Sequence, residues 1–180
     1  YHKVTGVQTC ALPILQFDLR KFIVSGTKPY AAEFQCDLSA KDFAGARIEQ
    51  PVTARFEAVP DGEEIRMTLR ANALVHGECA RCLDPVEREE TVQAEWTVRE
   101  RDLDDPDFDL PLNEKGHLDV DEWLCQEFMF QIPTVLLCSA DCPGLCPRCG
   151  KKMAECTCPP AEAEAEPADA RLAILKSLLN

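Results

Sequence analysis

From Pro51 onward the chain alternates apolar and polar residues with a period of two. Val52, Ala54, Phe56 and Ala58 alternate with Thr53, Arg55 and Glu57. Successive side chains of a strand point to opposite faces, so this pattern predicts a strand with one buried face. Pro60-Asp61-Gly62 predicts a turn. Ile65, Met67, Leu69, Ala71, Ala73 and Val75 then repeat the alternation. After Asp84-Pro85 a third run places Val92, Ala94, Trp96 and Val98 on one face. Three long alternating runs joined by short turns predict an antiparallel meander.

The pattern changes on either side of these runs. Upstream, Phe17, Leu19, Phe22 and Val24 surround Asp18, Arg20 and Lys21, which fits an opening strand or extended arm. Gly26-Thr27-Lys28-Pro29 predicts a turn. Tyr30 to Leu38 fits either a strand or a short helix, and Asp42 to Gly45 reads as a break. Downstream, Arg101 to Asp121 is acidic and broken by proline. Asp102, Asp104, Asp105, Asp107 and Asp109 crowd Pro106 and Pro111. This reads as a solvated connector, and the sharper alternative is a contact for a basic partner.

A helix follows. Val120, Trp123, Leu124 and Phe128 recur at helical spacing, Asp119 or Asp121 can cap it, and Pro133 stops it. Trp123 is expected in the core against the sheet rather than as a stacking platform. Cys125 falls off the stripe. Val135-Leu136-Leu137 leads directly into a cysteine-rich segment. Beyond that, Ala-Glu repeats between Pro159-Pro160 and Pro167 form a polar linker, and Asp169 caps a terminal helix bearing Leu172, Leu175, Leu178 and Leu179. A helix that short needs a docking surface.

The first residues stand apart. Val4 to Ile14 looks like the translation of a common sequencing-library adapter, so Cys10 is left out of the cysteine arithmetic. The expected organisation is therefore an adapter-like stretch at 1–14, an α+β domain at 15–137, a cysteine-rich zinc module at 138–158, a linker at 159–168 and a terminal helix at 169–180.

Composition narrows the function. The formal net charge of −13 argues against a broad phosphate-binding surface. RNA contact would need a local basic patch. No apolar run reaches the length of a membrane span. The chain holds eleven cysteines. With no convincing signal peptide, short-spaced pairs read as metal ligands rather than disulfides, and zinc ranks ahead of an iron–sulfur cluster.

Six of those cysteines lie between Cys138 and Cys158, spaced C-x3-C-x3-C-x2-C-x6-C-x-C. Leu145-Cys146-Pro147-Arg148-Cys149-Gly150 reads as a zinc knuckle. Two thiolates point at one ion from a tight turn if Pro147 fixes the curl and Gly150 takes the positive φ that lets the chain leave. The candidate ligands are Cys138, Cys142, Cys146, Cys149, Cys156 and Cys158. A second C-x2-C, Cys79-Ala80-Arg81-Cys82, falls between the second and third runs, at a hairpin tip. Several ligand sets are open. Cys146 and Cys149 can pair with Cys138 and Cys142, or with Cys156 and Cys158. All six can share two ions, or Cys79 and Cys82 can join one of the pairs. With four cysteines per ion no position remains for water, so zinc would be a staple rather than a catalyst.

Other chemistry is thin. His76 lies three residues before Cys79, and His117 stands in the acidic connector. No phosphate loop, nucleophile elbow or zinc-protease motif occurs. The hairpin context of Cys79 and Cys82 is not the βαβ context of a thioredoxin-like pair. An enzyme is not expected. Arg81, Arg148, Lys151 and Lys152 form a small basic set beside the cysteines and are the candidate RNA or partner contacts.

Together these motifs resemble the YceD family of bacteria and plastids. The resemblance rests on C-x-R-C at Cys79 to Cys82, on an apolar-Pro helix end before C-x3-C-x-G-L-C-P-x-C-G and C-x-C, and on the final D-x-R-L-x-x-L-x-x-L-L from Asp169 to Leu179. Ala170 stands where the family often has proline. The resemblance runs from about Leu15 to the C-terminus. It implies a cytoplasmic, non-enzymatic factor needed for 23S rRNA processing or accumulation. Its partner would be 23S rRNA or a large-subunit precursor, with no membrane and no small-molecule substrate. The alternatives are an acidic chaperone for a basic large-subunit ribosomal protein, contacted through Asp102 to Asp109, and a thiol redox switch at Cys79 and Cys82.

Overall fold

The computed structural model describes residues 15–105 and 107–159. The adapter-like stretch, the linker from residue 160 and the terminal helix lie outside the described residues. The chain divides into two compact units, with the boundary between Cys142 and Pro143.

The three alternating runs of the first unit form strands β4 (Val52–Asp61), β5 (Glu64–Glu78) and β6 (Pro85–Arg99). The segment at Tyr30, which fits strand or helix by sequence, is strand β2 (Tyr30–Cys36). It pairs antiparallel with β4, Phe34 opposite Ala54. β5 pairs along its whole length with β6, from Glu64 opposite Arg99 to Glu78 opposite Pro85. It also pairs with β4, and near its C-terminal end with a two-residue strand β3 (Arg47–Ile48). Every core-facing residue expected on β4 and β5 is buried, from Val52 to Ala58 and from Ile65 to Val75. On β6, Val92, Ala94 and Val98 are buried and Trp96 is partly so.

The opening stretch differs from the strand or arm its apolar positions suggest. Gln16–Phe17 (β1) pairs with Leu118–Asp119 (β7), and Leu19–Ser25 is helix α1. Leu19, Phe22 and Ile23 follow helical spacing, whereas Phe17 and Leu19 alternate about Asp18. Asp18 decides it: its carboxylate accepts from Lys21 N at 3.0 Å and its carbonyl from Phe22 N at 3.0 Å.

Helix α2 (Val120–Gln131) covers the inner face of the sheet. Asp119, not Asp121, caps it, accepting from Glu122 N at 3.0 Å. Asp121 instead accepts from Leu15 N. Val120, Trp123, Leu124 and Phe128 are buried as the stripe requires, and so is Cys125. Trp123 packs edge-on to Phe56 with ring centroids 6.2 Å apart, and its indole N–H donates to Glu127. Each fully buried aromatic of this kind contributes about 2–3 kcal/mol. The helix therefore fixes where the chain re-emerges after Pro133, and that sets the position of the cysteines that follow.

The acidic connector is partly ordered. Glu100–Asp104 is a 3-10 turn, Asp102 accepts from Arg99 N at 2.8 Å, and Asp104 pairs with Arg20 at 2.8 Å. Asp104, Asp105 and Asp107 remain exposed.

Candidate metal centres and their basic neighbours

The first centre begins at the tip of the β5–β6 hairpin. Cys79 N donates to Asp84 O at 2.8 Å, and Leu83 N donates to Cys79 O at 2.8 Å. Leu83 takes the left-handed conformation, φ 62°, that turns the chain into β6. This is costly for a branched side chain. A second segment meets the tip. Ala80 N donates to Leu136 O at 2.9 Å. The Arg81 guanidinium donates to Cys142 O at 2.9 Å and to Ala140 O at 3.3 Å. The segments touch closely at Gly77, where a Cβ would stand 2.5 Å from Leu136 Cδ1 and that side chain would have to shift.

These contacts bring four thiols together. Cys79 Sγ lies 3.8 Å from Cys142 Sγ, and Cys82 Sγ lies 3.6 Å from Cys138 Sγ. The four sulfurs of Cys79, Cys82, Cys138 and Cys142 stand within 4.8 Å of one another. Four sulfurs bound tetrahedrally at about 2.3 Å from one zinc ion stand about 3.8 Å apart. A disulfide would need about 2.05 Å. The spacing fits a metal. Cys79, Cys82 and Cys142 are buried and Cys138 is exposed.

The second centre lies wholly in the second unit and repeats the first turn. Cys146 N donates to Lys151 O at 2.7 Å, and Gly150 N donates to Cys146 O at 2.8 Å. Gly150 has φ 69°, the conformation expected from its place after Cys149. The sulfurs of Cys146, Cys149, Cys156 and Cys158 stand within 4.8 Å of one another, with Cys149 and Cys156 3.7 Å apart. Cys158 N donates to Cys156 Sγ at 3.3 Å. A short 3-10 turn, Met153–Glu155, carries the chain from the knuckle to this last pair.

Electrostatics mark the same position in each turn. The Cys138 N–H, followed by those of Arg81 and Cys82, pulls the Cys79 thiol down to about 6. The N–H groups of Cys149 and Arg148 pull Cys146 down to about 6. Their neighbours move the other way. At Cys82 the Asp84 N–H pulls downward, but burial and the adjacent thiols outweigh it and push the group up to about 12. Cys149 and then Cys156 push Cys158 up to about 12. One thiolate forms readily in each set and opposes the rest, an imbalance that a divalent cation removes.

The six C-terminal cysteines thus divide between two sets of four, Cys138 and Cys142 joining the hairpin pair. Sequence spacing alone could not select this arrangement, because the partner of Cys79 and Cys82 depends on where α2 delivers the chain. The basic residues divide too. Arg81 is engaged with backbone carbonyls. Arg148 and Lys151 are exposed and pair with no carboxylate among the described residues. Lys152 bridges to Leu145 through its backbone. His76 faces Glu87 across the strands at 3.5 Å, and His117 lies 3.7 Å from Asp18.

Fold and centres define a class: an α+β protein built on an antiparallel sheet, with two sets of four cysteines that could hold metal ions. The chain belongs to the YceD family, described as large ribosomal RNA subunit accumulation protein YceD, whose profile matches residues 67–179. That match includes both C-x-R-C turns and supports a ribosome-biogenesis role. Curated relatives include uncharacterized proteins of Mycobacterium bovis and of two strains of Mycobacterium tuberculosis. Each is 29% identical over 106 residues, covering 56% of this chain and 49% of the relative. The chain therefore spans about half the length of the curated relatives it matches. No solved structure matches it. No helix among the described residues is long and apolar enough to cross a membrane.

Proposed function

We propose that this chain is a non-enzymatic, cytoplasmic factor in large-subunit assembly that binds 23S rRNA or a precursor particle. The observation that carries the reading is the second knuckle, which holds Arg148 and Lys151 exposed and, among the described residues, without carboxylate partners, on an otherwise acidic protein. Such residues contact phosphates and position a chain on RNA. With a net charge of −13, nonspecific attraction is weak, so binding depends on this local patch. Zinc serves as structural support, since each set already supplies four ligands. Arg81 and Lys152 act from the turns themselves, Arg81 by holding the first centre closed.

Affinity purification from a lysate, with and without RNase, tests the reading when metal is measured on the same sample. Large-subunit rRNA that is lost on RNase treatment is the expected result. Recovery of an unchanged set of proteins with no rRNA would overturn it.

One observation favours a second reading. The exposed carboxylates of Asp105, Asp107 and Asp109, beside Asp104, which already pairs with Arg20, lie on one connector and suit a basic ribosomal protein. Neutralising them would then weaken binding of that protein, and unchanged affinity would remove the chaperone reading.

A further inference from the structure

The two thiol sets differ in what surrounds them. The set at Cys79, Cys82, Cys138 and Cys142 joins a hairpin tip to the segment after α2, and both already rest on a large apolar core. The set at Cys146, Cys149, Cys156 and Cys158 lies in a segment with no such core of its own among the described residues. Among residues 143–159, Cys146 and Gly144 are buried, Leu145 is half-buried, and no large apolar side chain is buried. Regular structure there amounts to one isolated bridge, Leu145 with Lys152, and the three-residue turn Met153–Glu155. A segment of this size cannot offset its conformational entropy with a few turn hydrogen bonds. Among the described residues, metal ligation is the remaining source of folding free energy for this segment, and in small thiolate modules it is large enough to decide between folded and unfolded.

We infer that the chain binds two zinc ions independently, one per four-cysteine set. The ion at Cys146, Cys149, Cys156 and Cys158 folds the segment 143–159 outright. The ion at Cys79, Cys82, Cys138 and Cys142 only clamps two segments of a sheet domain that folds without it. Zinc is the ion because four thiolates in a tetrahedron suit it and it brings no redox change of its own. On binding, each thiol gives its proton to solvent and each sulfur forms one bond to the ion. The ions also differ in accessibility. Three ligands of the first set are buried, whereas in the second Cys149 is exposed and Cys156 and Cys158 are half-buried. The second ion is therefore released first to a chelator.

This inference rests on the metal reading of the thiols and not on the RNA reading. The test is native mass spectrometry of the full chain loaded with Zn2+, followed by chelator challenge with hydrogen exchange read along the sequence. Two bound ions are expected, lost in two phases. The first phase should remove protection from 143–159 and leave the amides of β4 and β5 unchanged. The Cys146→Ser/Cys149→Ser variant should hold one ion and keep the sheet protected, as should Cys79→Ser/Cys82→Ser. One ion in the parent chain, release in a single phase, or protection at 143–159 that survives full chelation would each overturn the inference. No ion at all would overturn the metal reading beneath it. Absence of rRNA binding with two ions present would affect only the proposed function. Should the Cys79 variant fail to fold, the Cys146 variant alone still decides the count.

Discussion

The two C-x-R-C turns are nearly the same object in different settings. In each, the first cysteine donates its N–H five residues ahead and accepts from the residue after the second cysteine. In each, that last residue is left-handed: Leu83 at 62° in one, Gly150 at 69° in the other. The arginine holds the same position but different work. Arg81 reaches carbonyls of the neighbouring segment, and Arg148 projects into solvent. The first turn lies at the end of a sheet hairpin, and its arginine is held by backbone carbonyls. The second lies in a segment where no large apolar side chain is buried among the described residues, and its arginine is exposed. One local motif thus yields a clamped arginine or an exposed one according to what packs around it.

This contrast can be broken at several points. The largest effect should come from the core beneath the clamp. Trp123→Ala is expected to cost the sheet domain about 3–5 kcal/mol in denaturant unfolding, while Arg148→Ala stays within about 0.5 kcal/mol. Equal effects would mean that the two regions are not separately supported. Next is the contact between hairpin tip and following segment. Gly77→Ala forces a methyl against Leu136, for a loss of about 1–3 kcal/mol, and Leu136→Ala in the same chain should relieve part of it. Simple additivity of the two losses would place the strain elsewhere. Arg81→Ala should then cost about 1 kcal/mol through its two lost carbonyl bonds. A thermal melt that does not move would show those bonds to be idle. The smallest effect is conformational. Leu83→Gly should stabilise by about 1 kcal/mol and Gly150→Ala should destabilise its own segment by about as much, since only glycine adopts positive φ without strain. Opposite signs are the point of that pair, and matching signs would end the equivalence of the turns.

Much of the sheet was legible because β4, β5 and β6 each bury one face, and a period of two reports that directly. Helix α2 was legible for the same reason at its own period. Helix α1 was not, because Phe17 and Leu19 alternate while Leu19, Phe22 and Ile23 follow helical spacing, and within so few residues the Asp18 cap decides between them. β3 and β7 were invisible, being two-residue pairings dictated by neighbours rather than by their own composition. At the centres, the knuckle at Cys146 and its left-handed Gly150 could be read locally from C-P-x-C-G. The first set could not be assembled from spacing, since its pairs are separated by all of β6 and all of α2. Arg81 looked like a surface cation for the same reason: the carbonyls it binds lie 59 and 61 residues away.

We propose that RNA meets this protein at the second knuckle. Ultraviolet crosslinking of the zinc-loaded chain to 23S rRNA tests it most directly, comparing the parent with Arg148→Glu/Lys151→Glu at matched metal content. Crosslinking should be lost in the double variant and retained in Arg81→Ala. Undiminished crosslinking in the double variant, with zinc still bound, would contradict it.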